Sequence, residues 1–186
     1  LQEIELALQS TIDHWFKGDV ILSFHEEGVE LEEGYVTALM LPKGLGLRAG
    51  KFYLPVGRQN SKHLHAWSFA DGMLINEAMF GYEGINELGV EATYVFPTSF
   101  YLGLTGGFSN GDNESSFNGP SRQDFVYNAR LETSFDLGED VTVLLGASGV
   151  WGNNDAGLLS HVYGGDLMLR WKPAPYRSLT WQSEYL

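Results

Sequence analysis

The chain has no cysteine. Disulfides, thiolate metal sites and a cysteine nucleophile are thereby excluded. It is also poor in positive charge: 11 Lys and Arg stand against 24 Asp and Glu, a formal net charge of −13. A nucleic-acid partner, whose phosphates demand a basic footprint, is not expected. No stretch approaches the ~18–20 consecutive apolar residues of a membrane-spanning helix. That absence does not bear on membrane strands, whose alternating residues average to a moderate hydropathy. The first residue is Leu1, with neither an initiator Met nor a secretory leader, so processing or excision from a longer chain is expected.

What the sequence does have is aromatic: 11 Phe, 9 Tyr and 5 Trp, within a hydrophobic content of 44%. That much apolar surface offsets the ordering entropy that keeps polar chains disordered. At 186 residues, one domain fits better than two.

Helical periodicity is poor and period two is good. Ile4, Leu6 and Leu8 alternate with Glu3, Glu5 and Ala7; Val29, Leu31, Tyr35, Thr37 and Leu39 share a face against Glu30 and Glu32. Leu45, Leu47, Ala49 and Tyr53 oppose Arg48; Leu88, Val90 and Ala92 oppose Glu87 and Glu91. Ala129, Leu131 and Thr133 oppose Arg130 and Glu132; Leu167, Leu169 and Trp171 oppose Asp166 and Arg170. A strand separates such sets and a helix mixes them. About ten strands of roughly 8–13 residues result, longer than those of most soluble sheets.

Connections alternate in length. Short turns at 14–18, 42–44, 97–98, 138–140 and 173–177 interleave with the connections 25–28, 54–86, 110–123 and 152–157. In an up-and-down sheet this puts tight turns at one end and longer loops at the other, as in outer-membrane barrels. Trp15, Phe16, Phe96, Phe100, Phe135, Trp171 and Trp181 lie beside the short turns. Tyr35, Tyr53, Phe108, Tyr127, Trp151 and Tyr163 lie toward the loops. Two such belts suit two lipid–water interfaces. The competing arrangement is a water-soluble sandwich or barrel with its apolar face inward. Strand length, turn asymmetry and aromatic belts together favour the membrane barrel. Glu33 and Lys51 fall on the apolar faces, where a mid-bilayer charge costs on the order of 2–4 kcal/mol. Each abuts a glycine, Gly34 and Gly50, so a bulge that switches parity, or a place near the loop-end rim, would relieve the cost.

The segment Leu47-Arg48-Ala49-Gly50-Lys51-Phe52-Tyr53-Leu54-Pro55-Val56-Gly57-Arg58-Gln59-Asn60 resembles the LRxGKFxxPFGxxN segment of phosphate-selective-porin-like outer-membrane proteins. Val29-Glu30-Leu31-Glu32-Glu33-Gly34-Tyr35-Val36 is similar to the EEGY strand that precedes it there. Some members of that group carry TonB-dependent or zinc-regulated receptor names. The resemblance covers about residues 28–60 and implies a β-barrel with solute passage through its lumen. Phosphate-selective members line the lumen with basic residues. Here the polar faces carry Glu3, Glu5, Asp13, Asp19, Glu30, Glu32, Glu87, Glu91, Glu132, Asp166 and Glu184 against Arg48, Arg130, Arg170 and Lys172. Phosphate selectivity is therefore not carried over, and a cation preference is expected. The plug of a TonB-dependent receptor has no counterpart in this sequence.

The expected fold is all-β: an antiparallel up-and-down transmembrane β-barrel of about ten strands, a single domain over 1–186, cut from a larger barrel. A closed ten-stranded barrel is the alternative. The expected function is passive diffusion of small solutes, with Glu5, Glu30, Glu32, Arg48, Glu91, Arg130, Glu132, Asp166 and Arg170 lining the pore. The location is the bacterial outer membrane; the partners are its lipid, small solutes or ions, and further copies in a homo-oligomer such as a trimer. No cofactor is needed. The alternative function is a receptor that uses the loop 54–86 for ligand or metal capture. That loop is too apolar for a solvated excursion: Trp67, Phe69, Met73, Leu74, Ile75, Met79, Phe80 and Tyr82 must bury against the barrel or a partner.

Within it, His63 and His65 are the candidate metal ligands, with Asp71 and Glu77 downstream to complete a Zn²⁺ or Cu²⁺ shell. Wet, structurally neutral histidines are the alternative. Asn110, Asp112 and Glu114 alternate as at the start of a calcium loop, but the twelfth position is Ser121 rather than a bidentate Glu. A mobile acidic loop is expected there. No Ser, His and Asp constellation is placed by spacing, so an enzyme is not expected.

Overall fold

A computed structural model describes residues 4–26, 28–67, 72–113 and 115–186. Glu3, Phe69, Asp71 and Glu114 lie outside the described residues. The elements in chain order are β1 (Ile4–Thr11), β2 (Phe16–His25), β3 (Gly28–Ala38), β4 (Leu45–Tyr53) and a helix α1 (Leu74–Phe80). There follow β5 (Asn86–Val95), β6 (Tyr101–Ser109), β7 (Asp112–Asn113), β8 (Phe117–Asn118), β9 (Val126–Leu137), β10 (Val141–Asn153), β11 (Leu159–Ala174) and β12 (Arg177–Tyr185). The fold is all-β, built on one ten-stranded antiparallel sheet in the order β1-β2-β3-β4-β5-β6-β9-β10-β11-β12. The short hairpin β7–β8 stands apart from it. No described helix is long and apolar enough to cross a membrane.

Every strand of the sheet pairs with its neighbour in sequence, β7 and β8 aside, as alternation and short turns dictate. The turns have chemistry to match. Asp13 accepts the backbone N–H of Trp15 and Phe16 in the β1–β2 turn, at 2.6 and 2.9 Å. Lys43 and Gly44 both take positive φ between β3 and β4, where glycine costs least.

One irregularity decides which side chains β3 turns inward. Ile21 pairs with Glu33 but Leu22 with Leu31, so β3 bulges by one residue at Glu32. The bulge turns two consecutive carboxylates, Glu32 and Glu33, to the same side, and both are buried. It also flips the rest of β3. Tyr35, expected to face outward with Leu31, instead packs inward beside Phe52. Val36, its neighbour, is exposed. Lys51 stays on the outer side, paired in register with Gly34 and Leu88. Its ammonium donates to the Leu31 carbonyl at 2.9 Å and lies 3.6 Å from Glu30.

The two faces of the sheet differ sharply. Leu6, Leu8, Leu47, Leu88, Leu104, Leu131, Leu145 and Leu179 point to the outer face and are exposed. Trp15, Phe16, Phe100, Trp171 and Trp181 near the short turns are exposed, as are Phe108, Tyr127 and Tyr163 toward the other end. The inner face carries buried Asp19, Ser23, Glu87, Glu91, Asn128, Arg130, Ser148 and Asp166. Among the described residues β1 and β12 pair with one partner each and not with one another. Among the described residues the sheet is thus an open wall, and the closed ten-stranded barrel kept as the alternative is not formed.

Residues 54–67 and 72–86 fold onto the inner face. Leu54, Val56, Phe80 and Ile85 form a core with Phe52, Phe117, Val126, Val150 and Val162. Asn60 closes the segment on itself. Its amide donates to the Leu54 and Ile85 carbonyls at 2.8 and 3.0 Å and accepts the Ile85 N–H at 2.9 Å. Three buried backbone groups are satisfied by one side chain. Gly57, at φ 61°, lies so close to Glu184 of β12 that a side chain there would collide with the carboxylate. Both conditions select glycine.

Candidate functional site

The segment 54–86 presents His63 to the wall just before a 3-10 turn at Leu64–Ala66. His63 Nδ1 is 2.9 Å from Glu32 Oε1 and 3.8 Å from Glu5 Oε2. Its Nε2 is 3.0 Å from Glu33 Oε2. His65 Nδ1 is 2.8 Å from Glu5 Oε1, and the two imidazoles stack with centroids 5.9 Å apart. Each carboxylate is fixed from a further side. Glu32 accepts from Ser23 Oγ at 2.9 Å and the Tyr53 hydroxyl at 3.0 Å; Glu33 accepts the Tyr53 N–H at 3.1 Å. The Tyr53 ring packs edge-on against His63. Tyr53 therefore leaves the outer aromatic belt expected for it, because its hydroxyl is drawn to a buried carboxylate.

Hydrogen bonding to Glu32, then to Glu33, raises the His63 pKa to about 10 against the opposing effect of burial. With no metal bound, His63 is an imidazolium between two carboxylates.

A second set of charges lies along the inner face. Arg130 makes a two-pronged pair with Asp166, at 2.7 and 3.0 Å, and reaches Glu132 at 3.3 Å. Arg58 of the inserted segment approaches the same Asp166 at 4.0 Å. Arg48 donates to Glu91 at 2.8 Å and lies over the Phe52 ring, 4.1 Å from its centroid. On β12, Glu184 accepts the backbone N–H groups of Arg58 and Gln59 at 2.9 and 3.2 Å. The segment thus bonds to β12 at one edge of the wall and, through His65 and Glu5, to β1 at the other.

Between segment and wall is a cavity of about 450 Å³. Ser23, Glu30, Glu32, Tyr53 and Asn86 line it from the wall; Asn60, Lys62, Trp67, Asn76, Glu77 and Glu83 line it from the segment. Glu32 and Tyr53 belong to both the cavity and the histidine cluster.

Of the nine residues expected to line a passage, Glu32, Glu91, Arg130 and Asp166 are buried on the inner face. Glu5, Arg48 and Glu132 are half-buried; Glu30 and Arg170 are exposed. His63 and His65 come together, and among the described residues the carboxylates beside them are Glu5, Glu32 and Glu33. Glu77 lines the cavity instead. The sequence offers one signal for Glu33, a charge beside Gly34 on an apolar face; nothing local marks Glu5 as a partner of His63. At the start of the expected acidic loop at 110–123, residues 110–113 bond to one another and to their surroundings. Asn110 donates to Asp112 at 2.7 Å, Glu87 accepts the Gly111 and Asp112 N–H groups, and Asn113 donates to the Phe80 carbonyl at 2.7 Å.

Among known proteins, the chain is similar to one from Aquifex aeolicus (strain VF5), described as "Uncharacterized protein", with 32% identity over 210 aligned positions. The alignment takes in all of this chain and 44% of that protein, so the chain spans less than half its relative's length. No protein-family model matches the chain, and no solved structure matches it.

Proposed function

We propose that this chain is part of the wall of an outer-membrane β-barrel of the porin-like kind. In it, segment 54–86 folds into the lumen and narrows an acidic passage for small solutes, cations preferred. The observation that carries this reading is the inversion of the two faces. Exposed leucines cover the outer face, while the inner face buries arginine and carboxylates. A water-soluble sandwich requires the opposite. In lipid, the outer leucines cost nothing, and on the inner face Asp166 and Glu91 have arginine partners while Glu87 accepts backbone N–H groups.

The acidic lining supports cation preference: carboxylates in a narrow aqueous passage concentrate cations and repel anions. Not all of them count toward it. Asp166 and Glu91 are paired with Arg130 and Arg48, leaving the cluster at Glu5, Glu32 and Glu33 around His63 as a net negative site on the wall. Planar-bilayer conductance of the full-length protein tests the reading. Cation-preferring conductance is expected; anion preference, or none after verified insertion, would contradict it.

The receptor alternative is favoured by one observation, the polar cavity of about 450 Å³ beneath the inserted segment. That volume suits a small ligand. Saturable solute binding without conductance would select it.

A further inference from the structure

We infer that His63, Glu32 and Glu5 form a binding site for a first-row divalent metal ion such as Zn²⁺, fastening the inserted segment to β1 and β3. The three donor atoms lie within 4.8 Å of one another. Ligands around a tetrahedral Zn²⁺ stand roughly 3.3 Å apart, given bonds of about 2.0–2.1 Å. The distances from Nδ1, 2.9 Å to Glu32 and 3.8 Å to Glu5, bracket that value. An imidazole nitrogen beside two carboxylates suits zinc and its neighbours in the series; Ca²⁺ and Mg²⁺ prefer oxygen alone.

The outer shell is what separates this cluster from a chance meeting of charges. A metal-bound histidine donates its other N–H to a carboxylate or carbonyl, which fixes the tautomer. Glu33 stands in that position, 3.0 Å from His63 Nε2. It leaves the Nδ1 lone pair directed at Glu32 and Glu5. Ser23 and Tyr53 orient Glu32, and His65 holds the second oxygen of Glu5. Every proposed ligand is thus held by at least one further group.

The charge count points the same way. Three carboxylates, Glu5, Glu32 and Glu33, converge on one imidazole ring. A divalent ion seated among them would offset two of those charges. The bulge in β3 is what makes this possible, since a regular strand would send Glu32 and Glu33 to opposite faces.

Zinc titration of the full-length protein in detergent solution tests the site, with Co²⁺ as a spectroscopic probe. One ion per chain is expected, and Co²⁺ should show the intense visible bands of a low-coordinate N/O site. His63→Ala should abolish both, and Glu33→Gln should weaken zinc binding by about 10–100-fold. Glu83→Gln, a charge change in the adjoining cavity, should leave affinity unchanged. Absence of zinc binding by the wild type, or a Co²⁺ spectrum like that of the aqueous ion, would overturn the proposal; so would equal affinity in His63→Ala. The cobalt spectrum is read on the wild type and does not depend on a variant folding. Binding in detergent is also independent of conductance, so loss of the channel reading would leave the site standing.

Discussion

In the wall, Leu6, Leu47, Leu104 and Leu145 face away from the inserted segment with 40–43% of their surface exposed. In the segment and the strand ends it covers, Leu54, Val56 and Ile85 keep at most 1%. The same residue types are treated in opposite ways within one chain. The segment behaves like a small water-soluble core, with its apolar groups gathered and its polar backbone satisfied by Asn60. The wall lends Phe52, Val126, Val150 and Val162 to that core; elsewhere its inner face carries ion pairs and its leucines are left outward. A folding chain in water would not discard so much apolar burial. On the proposed reading, the contrast arises because the outer face meets lipid while the inserted segment keeps its apolar groups from water.

The largest effect should come from removing an inner charge. Arg130→Met leaves Asp166 buried with only Arg58, 4.0 Å away, and should cost about 3–5 kcal/mol. Urea titration of the protein refolded into vesicles would measure it, and a cost below about 1 kcal/mol, as for exposed pairs, would break the contrast. Next, Leu145→Arg on the outer face should cost about 2–4 kcal/mol in the same assay if the position is mid-bilayer. A wet outer face would accept arginine at no cost. In the segment, Asn60→Ala leaves the buried Ile85 N–H without its partner, while the Leu54 and Ile85 carbonyls keep the Val56 and Leu54 N–H groups, and should cost about 1–3 kcal/mol. Proteolysis confined to 54–86, with the wall intact, would show that the two regions open separately. The smallest effect is expected at the outer rim, where Leu179→Ala should change stability by less than about 1 kcal/mol in vesicles.

Much of the wall is legible in the sequence because a strand's periodicity is local. Leu88, Val90 and Ala92 against Glu87 and Glu91 settle one strand without reference to any other. The ten main strands and their order follow from that pattern and the short turns. Tyr35 departs from the face its parity predicts because one extra residue at Glu32 inverts the alternation of β3, and its only local trace is Glu33 beside Gly34; Tyr53 departs at the end of β4, where its hydroxyl bonds Glu32. The metal candidates are legible as a His-x-His pair, yet their partners lie on β1 and β3, joined to them only by how the segment docks. Asn60 ends the porin-like motif, but its clasp across Leu54 and Ile85 is visible only when both ends of the segment meet. The helix α1 escapes sequence reading, since its seven residues carry no capping side chain at Met73.

The absence of native cysteine gives the most direct test of the inverted wall. Leu104 and Thr105 are consecutive in β6: Leu104 is exposed on the outer face, and Thr105 bonds to Thr93 across the inner one. Single variants Leu104→Cys and Thr105→Cys, reconstituted in liposomes, would carry the only thiol within these 186 residues. A membrane-impermeant aqueous maleimide should label Thr105→Cys and spare Leu104→Cys, and a bimane probe at position 104 should be quenched by lipids brominated on their acyl chains. Rapid aqueous labelling of Leu104→Cys, with no quenching by those lipids, would contradict the account.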